Sequence, residues 1–146
     1  MRETIFQAIL SKLQSLAIFN GEEGTVRVYD FPTTAPAGYP FAVVSSSSLE
    51  STVLDNARDE RRYNFTVSIV GEKFGETTGK TQSEALKAMR TAEDAVLALF
   101  DSDYDLSVAG VIRTFPQNAS YSYVDGNSRV LWTMELRVDT VTNITL

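Results

Sequence analysis

The sequence predicts an α+β domain, with two helices packed on one face of a mainly antiparallel or mixed sheet. Three observations carry this. Apolar residues recur at helical spacing in two stretches, residues 4–19 and 83–100. Strand-like stretches cluster between and after them instead of alternating with helices. The clearest strands alternate apolar with polar residues, which leaves one sheet face without apolar cover.

In residues 4–19, Phe6, Ile9, Leu10, Leu13, Leu16 and Ala17 fall on one helical side, and Gln7, Ser11, Gln14 and Ser15 on the other. Thr4 with Gln7 fits a capping box, and Asn20-Gly21 can end the helix in a left-handed turn. A short strand over 25–29 is expected next. Pro32, Pro36 and Pro40 then enforce a loop. "FAVVSSS" and "ESTVLDN" read as two strands joined around residues 47–49. In "RYNFTVSIV", Tyr63, Phe65, Val67 and Ile69 alternate with Asn64, Thr66 and Ser68. Thr81 and Glu84 form a capping box for the second helix, whose buried side carries Leu86, Met89, Ala92, Val96, Leu99 and Phe100. A strand over 110–115, a turn at Asp125-Gly126 and a last strand follow. In that strand Trp132, Met134, Leu136 and Val138 alternate with Thr133, Glu135, Arg137 and Asp139. No internal repeat or boundary divides the 146 residues, so residues 1–146 are read as a single domain.

Composition narrows the function. The chain has no Cys and no His. Thiolate nucleophiles, disulfides, the usual zinc ligands and imidazole bases are therefore excluded. A net charge of −6 argues against binding nucleic acid by neutralising phosphates. No apolar run reaches membrane-span length and no signal-peptide pattern follows Met1, so synthesis in the cytoplasm is expected. The triplets at Asn64, Asn118 and Asn143 are then read as coincidental to glycosylation.

Two stretches invite a ligand. Gly79-Lys80-Thr81 sits between strand-like and helix-like sequence, where a phosphate-binding loop belongs. The pattern requires a glycine where Phe74 stands, and Gly75 comes one residue late. Such loops also follow a strand buried on both faces, whereas the preceding one alternates. The segment reads instead as a glycine-rich connection. In "DSDYDLS", Asp101, Asp103 and Asp105 match the first positions of a calcium loop, but Leu106 replaces the turn glycine and Ile112 the bidentate Glu. It reads as a solvated loop, with acids unfavourably placed at a helix C-terminus. No catalytic, metal or cofactor residue is assigned, and an enzyme is not expected.

The run "DNARDERR" reads as a solvated loop or as an ion-pairing surface between subunits, since arginine forks match carboxylates. Taken with "GYPFAVV" before it, "YNFTVSIVGE" after it and "EALKAMRTAEDAVLALF" beyond, it resembles the tail-terminator (tail-completion) proteins of long-tailed bacteriophages over residues 38–100. The resemblance implies a structural α+β subunit that forms a ring, usually a homo-hexamer. The ring caps the tail tube, ends its polymerisation and offers the head-tail joining surface. Its partners would be the tail-tube protein and the head-tail connector proteins, with DNA only passing through the lumen and no membrane contact. The protein would be made in the host cytoplasm and reside in the neck region of the virion tail. On this basis Arg58, Asp59, Glu60, Arg61 and Arg62 are candidates for the subunit interface. Lys73, Phe74, Glu76 and Lys80 are candidates for a partner-docking loop, Phe74 either folding onto its own domain or anchoring a partner. Asn64, Thr66 and Ser68 are candidates for an acidic and small-polar lumen face. Two other readings stay open: another neck or tail part, such as a connector or tube subunit, and a nucleotide-binding module built on residues 75–81.

Overall fold

The computed structural model describes residues 1–21, 25–33, 36–53, 58–75 and 78–143. Helix α1 (Arg2–Gln14) opens the chain and a 3-10 turn (Ala17–Phe19) follows it. Strands β1 (Val28–Tyr29), β2 (Phe41–Val53) and β3 (Arg58–Val70) come next, then helix α2 (Gln82–Ser102), β4 (Val111–Val124) and β5 (Arg129–Asn143). The sheet order is β1-β2-β3-β5-β4. β1 runs parallel to β2, and every other neighbouring pair is antiparallel. The fold is α+β with a mixed sheet, as the clustering of strands predicts.

One core holds it together. Ile5, Ile9 and Leu13 of α1 and Met89, Val96 and Phe100 of α2 join Phe65, Val67, Ile69, Trp132, Met134 and Leu136 in a single buried cluster. Both helices therefore cover the same sheet face. The alternation read in β3 and β5 sets this directly. Tyr63, Phe65, Val67 and Ile69 are buried, and Asn64, Thr66 and Ser68 between them are not.

Several boundaries differ from the sequence expectation. The first helix stops at Gln14 because the Ser15 hydroxyl donates back to the Lys12 carbonyl and Leu16 turns extended, which lets Phe19 drop into the core. No Thr4–Gln7 capping box forms. The helix starts earlier, at Arg2, and Gln7 instead donates to Glu3 at 2.8 Å. Asn20 is extended rather than left-handed and bridges to Val26. β1 keeps only Val28 and Tyr29 of the expected strand, while Arg27 donates to the Pro40 and Ile18 carbonyls.

β2 is one strand, not two. Its serine run is absorbed by a bulge between Ser46 and Ser48. Arg58–Arg62 are strand rather than loop, since β2 and β5 offer ladders on both sides. Residues 55–57 of that charged run lie outside the described residues. β4 extends far beyond the expected 110–115. Pro116 and Asn118 look like breakers, but a register shift between Gln117 and Ser120, with Asn118 at φ 53°, carries the strand past them. The Asp125-Gly126 turn does form, with Asp125, Gly126 and Asn127 all at positive φ.

α2 starts as predicted. The Thr81 hydroxyl accepts from the Glu84 amide at 3.1 Å and donates to the Glu84 carboxylate at 3.1 Å. Its buried side carries Ala85 along with Met89, Ala92, Val96 and Phe100, while Leu86 and Leu99 are half-buried. Two of the acids at its C-terminus also find a reason. Asp103 pairs with Lys12 of α1, and Asp105 accepts from the Ser107 amide at 3.0 Å. Lys12 holds the Asp103 carboxyl below its ordinary value, against the opposing effect of burial. A lowered carboxylate pKa stabilises the fold above the unfolded value and loses that contribution as pH falls through the folded one. The Tm deficit of Lys12→Met should therefore be present at pH 7 and shrink as pH falls below the ordinary carboxylate value of about 3.9. A deficit independent of pH would show that packing alone is lost.

Candidate functional site

The loop after β3 is anchored before it turns. The Gly71 amide donates to the Val130 carbonyl at 2.9 Å, the Phe74 amide to Ser128 at 2.8 Å, and Arg129 to the Gly71 carbonyl at 3.2 Å. Phe74 is half-buried, its ring edge-on to Tyr123 at 6.2 Å between centroids. This favours the reading in which Phe74 folds onto its own domain. Gly75 then pairs with Lys80 and Thr78 bonds back to Gly75, with Gly79 at φ 72° making the turn. Lys80 reaches Glu72 at 3.2 Å, Lys73 is exposed, and Glu76 lies outside the described residues.

This geometry does not suit a phosphate. Bound phosphate needs successive free amides and a free lysine at a helix N-terminus. Here the Gly75 amide bonds to the Lys80 carbonyl, the lysine pairs with Glu72, and Thr81 caps the helix. Among the described residues no three of His, Cys, Asp and Glu gather to hold a metal, and no helix is long and apolar enough to cross a membrane.

The charged start of β3 is built into the sheet. Asp59 is buried and accepts from the Ser51 hydroxyl on both oxygens at 2.9 Å and from Arg61 at 2.8 Å. Arg61, then Ser51, holds its carboxyl below the ordinary range. Arg62 lies between Asp139 at 3.7 Å and Glu50 at 4.0 Å. Glu60 is half-buried and Arg58 is exposed.

Residues opposite each other on antiparallel strands share a face, so the register defines the side that no helix covers. Across it run Glu50, Arg62, Asp139 and Arg113, then Ser48, Asn64, Arg137 and Phe115, then Ser45, Thr66, Glu135 and Gln117. Arg137 donates to Asp139 at 3.0 and 2.8 Å, Asn64 to Ser48 at 2.9 Å, and Asn118 to Glu135 at 2.8 Å. Two guanidinium groups, of Arg113 and Arg137, lie 4.8 and 4.6 Å from the centre of the Phe115 ring. With Arg58 and Glu60 included, these rows set four arginines against four carboxylates, and Arg129, on the same face by register, pairs with Asp125 at 2.8 Å. Asn64, Thr66 and Ser68 are small and polar, but the face they share is balanced in charge rather than acidic and carries the Phe115 ring.

One cluster escapes a reading of the sequence. The indole of Trp132 donates to Glu93 of α2, which also lies beside the Tyr121 hydroxyl. Burial, then Glu93, pushes that hydroxyl's pKa up, keeping it a neutral donor. The signal was a carboxylate flanking the apolar stripe of α2, legible only once β5 is placed beneath it.

No protein-family model matches the chain, and no curated protein matches it. Among solved structures, its fold is similar to that of a chain in the virion of a native gene transfer agent particle. The similarity has a TM-score of 0.55 at 18% identity, over 94% of this chain and 93% of that one. At that identity the likeness is one of fold.

Proposed function

We propose that this protein is a structural component of a phage-type virion, and within it a tail terminator. It forms a ring on the tail tube, ends tube growth and presents the surface to which the head joins. The observation that carries this is the end-to-end fold likeness to a virion chain, over 94% of this sequence. The terminator-like residues 38–100 support the finer placement. In this reading the ring is a homo-hexamer made in the host cytoplasm, and DNA passes through it without being gripped. The charge-balanced sheet face suits such a lumen, since it offers little counterion-release attraction. Arg58–Arg62 lie in or near the subunit contact.

Electron microscopy of the purified protein, alone and with tail tubes, tests this. Rings seated at one tube end support the reading, and protein distributed along the tube would make it a tube subunit. Protein on the head portal would make it a connector.

The loop of Lys73, Phe74, Glu76 and Lys80 is proposed to dock the neighbouring virion part. Lys73 is exposed, so Lys73→Glu should leave Tm unchanged while lowering the yield of joined particles. Phe74→Ala should cost roughly 1–2 kcal/mol of stability, less than the loss of a fully buried ring, because Phe74 already packs on Tyr123. Normal joining by Lys73→Glu would remove the loop from the docking surface.

A further inference from the structure

A sheet with open edges needs an explanation when those edges are undefended. Monomeric proteins blunt edges with charge, proline, bulges or a covering segment. The first half of β4 shows all of these. Arg113, Pro116 and two register shifts fall there, and the Thr114 amide donates to the Tyr104 carbonyl at 2.7 Å. Residues 120–124, "SYSYV", have no charge, proline or bulge, and their outer edge has no strand partner among the described residues. At the other end of the sheet, β1 covers β2 only at Ala42 and Val43. Residues 45–51 are exposed, with Leu49 44% accessible; only the Ser46–Ser48 bulge and Glu50 blunt this edge, it has no proline, and no strand lies beyond it among the described residues.

The two open segments belong together by direction. β2 to β3, β3 to β5 and β5 to β4 are three antiparallel steps, so β4 runs opposite to β2. A second copy that continues the sheet therefore sets its β2 antiparallel to this β4, the commoner pairing. The register adds a tilt. Ser122 lies level with Leu131, Val70 and Phe41. Meeting the open half of β2 near Ser46 requires a slip of five residues, about 17 Å. Over a four-strand repeat about 19 Å wide this is a tilt of roughly 40°, within the range of closed sheets.

We propose that copies of this chain join head to tail by strand pairing, residues 120–124 of one copy against residues 45–51 of the next. The contact is heterologous and suits a closed ring, so the proposal rests on the ring reading and supplies its interface. It puts Arg58–Arg62 one strand inside the seam, where Glu50, Asp59 and Asp139 already hold Arg61 and Arg62.

The cysteine-free sequence allows a direct test. Ser48→Cys with Ser122→Cys places thiols on the same sheet face of the two open edges, and Ser45→Cys with Ser122→Cys covers a neighbouring register. A short bismaleimide linker should turn most of at least one double variant into a ladder of covalent oligomers. Each single variant should give no species beyond a dimer. A ladder ending at the ring number supports both pairing and closure. A ladder without an end supports the pairing and removes the closed ring. Rings visible by microscopy with no ladder from either variant overturn the pairing and leave the ring standing. Absence of both overturns both.

Discussion

Trp132→Ala should produce the largest loss of stability of any single substitution in this protein. Trp132 is the largest fully buried side chain, and its indole donates to Glu93. Truncation removes packing between α2 and the centre of the sheet and leaves Glu93 without its donor. Large-to-small aromatic changes in cores cost about 3–5 kcal/mol, and for a chain of this length that lowers Tm by roughly 10–15 °C. Calorimetry measures it directly, which matters because the variant loses the only tryptophan that fluorescence could follow. Trp132→Phe keeps much of the ring volume but not the donor, so its smaller deficit, which still includes a cavity term, sets an upper bound on the Glu93 contact. If Trp132→Phe melts with the wild type, that hydrogen bond contributes nothing net.

The second large effect is expected at Asp139, on the face without helices. It is 8% exposed, accepts two hydrogen bonds from Arg137 and lies beside Arg62. Asp139→Ala leaves two guanidinium groups near one another without their shared carboxylate. Hydrogen bonds to charged groups contribute about 1.5–3 kcal/mol, and a loss in that range is expected. The arginines are partly exposed, so solvent screens them and the upper end is not reached. Urea denaturation gives the number. Asp139→Asn should recover part of the loss by keeping an acceptor oxygen, and equal losses in the two variants would assign the effect to the carboxylate's charge. The same reasoning makes charge reversal at Arg61 and Arg62 a poor probe of assembly. It would set new carboxylates beside Asp59 and Asp139 and unsettle the fold first.

Elements whose burial alternates with the chain were legible. β3 and β5 declared their buried faces residue by residue, and Thr81 marked the start of α2. Elements governed by neighbours were not. Ser45–Ser48 carry no hydrophobic period, so only the partner β3 reveals one continuous β2. Arg58–Arg62 look like solvated loop until ladders on both sides absorb their backbone. Pro116 and Asn118 hide the length of β4 because a bulge is a pairing event between strands. At the candidate site the sequence placed Lys73, Phe74 and Lys80 on one loop and Asn64, Thr66 and Ser68 on one face. It could not show that Lys80 pairs with Glu72 or that four arginines balance four acids across the sheet, because those depend on long-range register.

The strand order also governs how the chain can be made. β5 sits between β3 and β4, although it follows both in sequence. Until residues 129–143 leave the ribosome, β4 has no partner strand and β3 has only β2. The strip of Phe65, Val67 and Ile69 then waits, half covered, for Trp132, Met134 and Leu136. Pairings this distant close late and slowly, and unpaired edges are exposed to other nascent chains meanwhile. A chain cut after residue 128 should aggregate rather than form a smaller domain. Subunits translated side by side on one message would be most at risk before their last strand arrives.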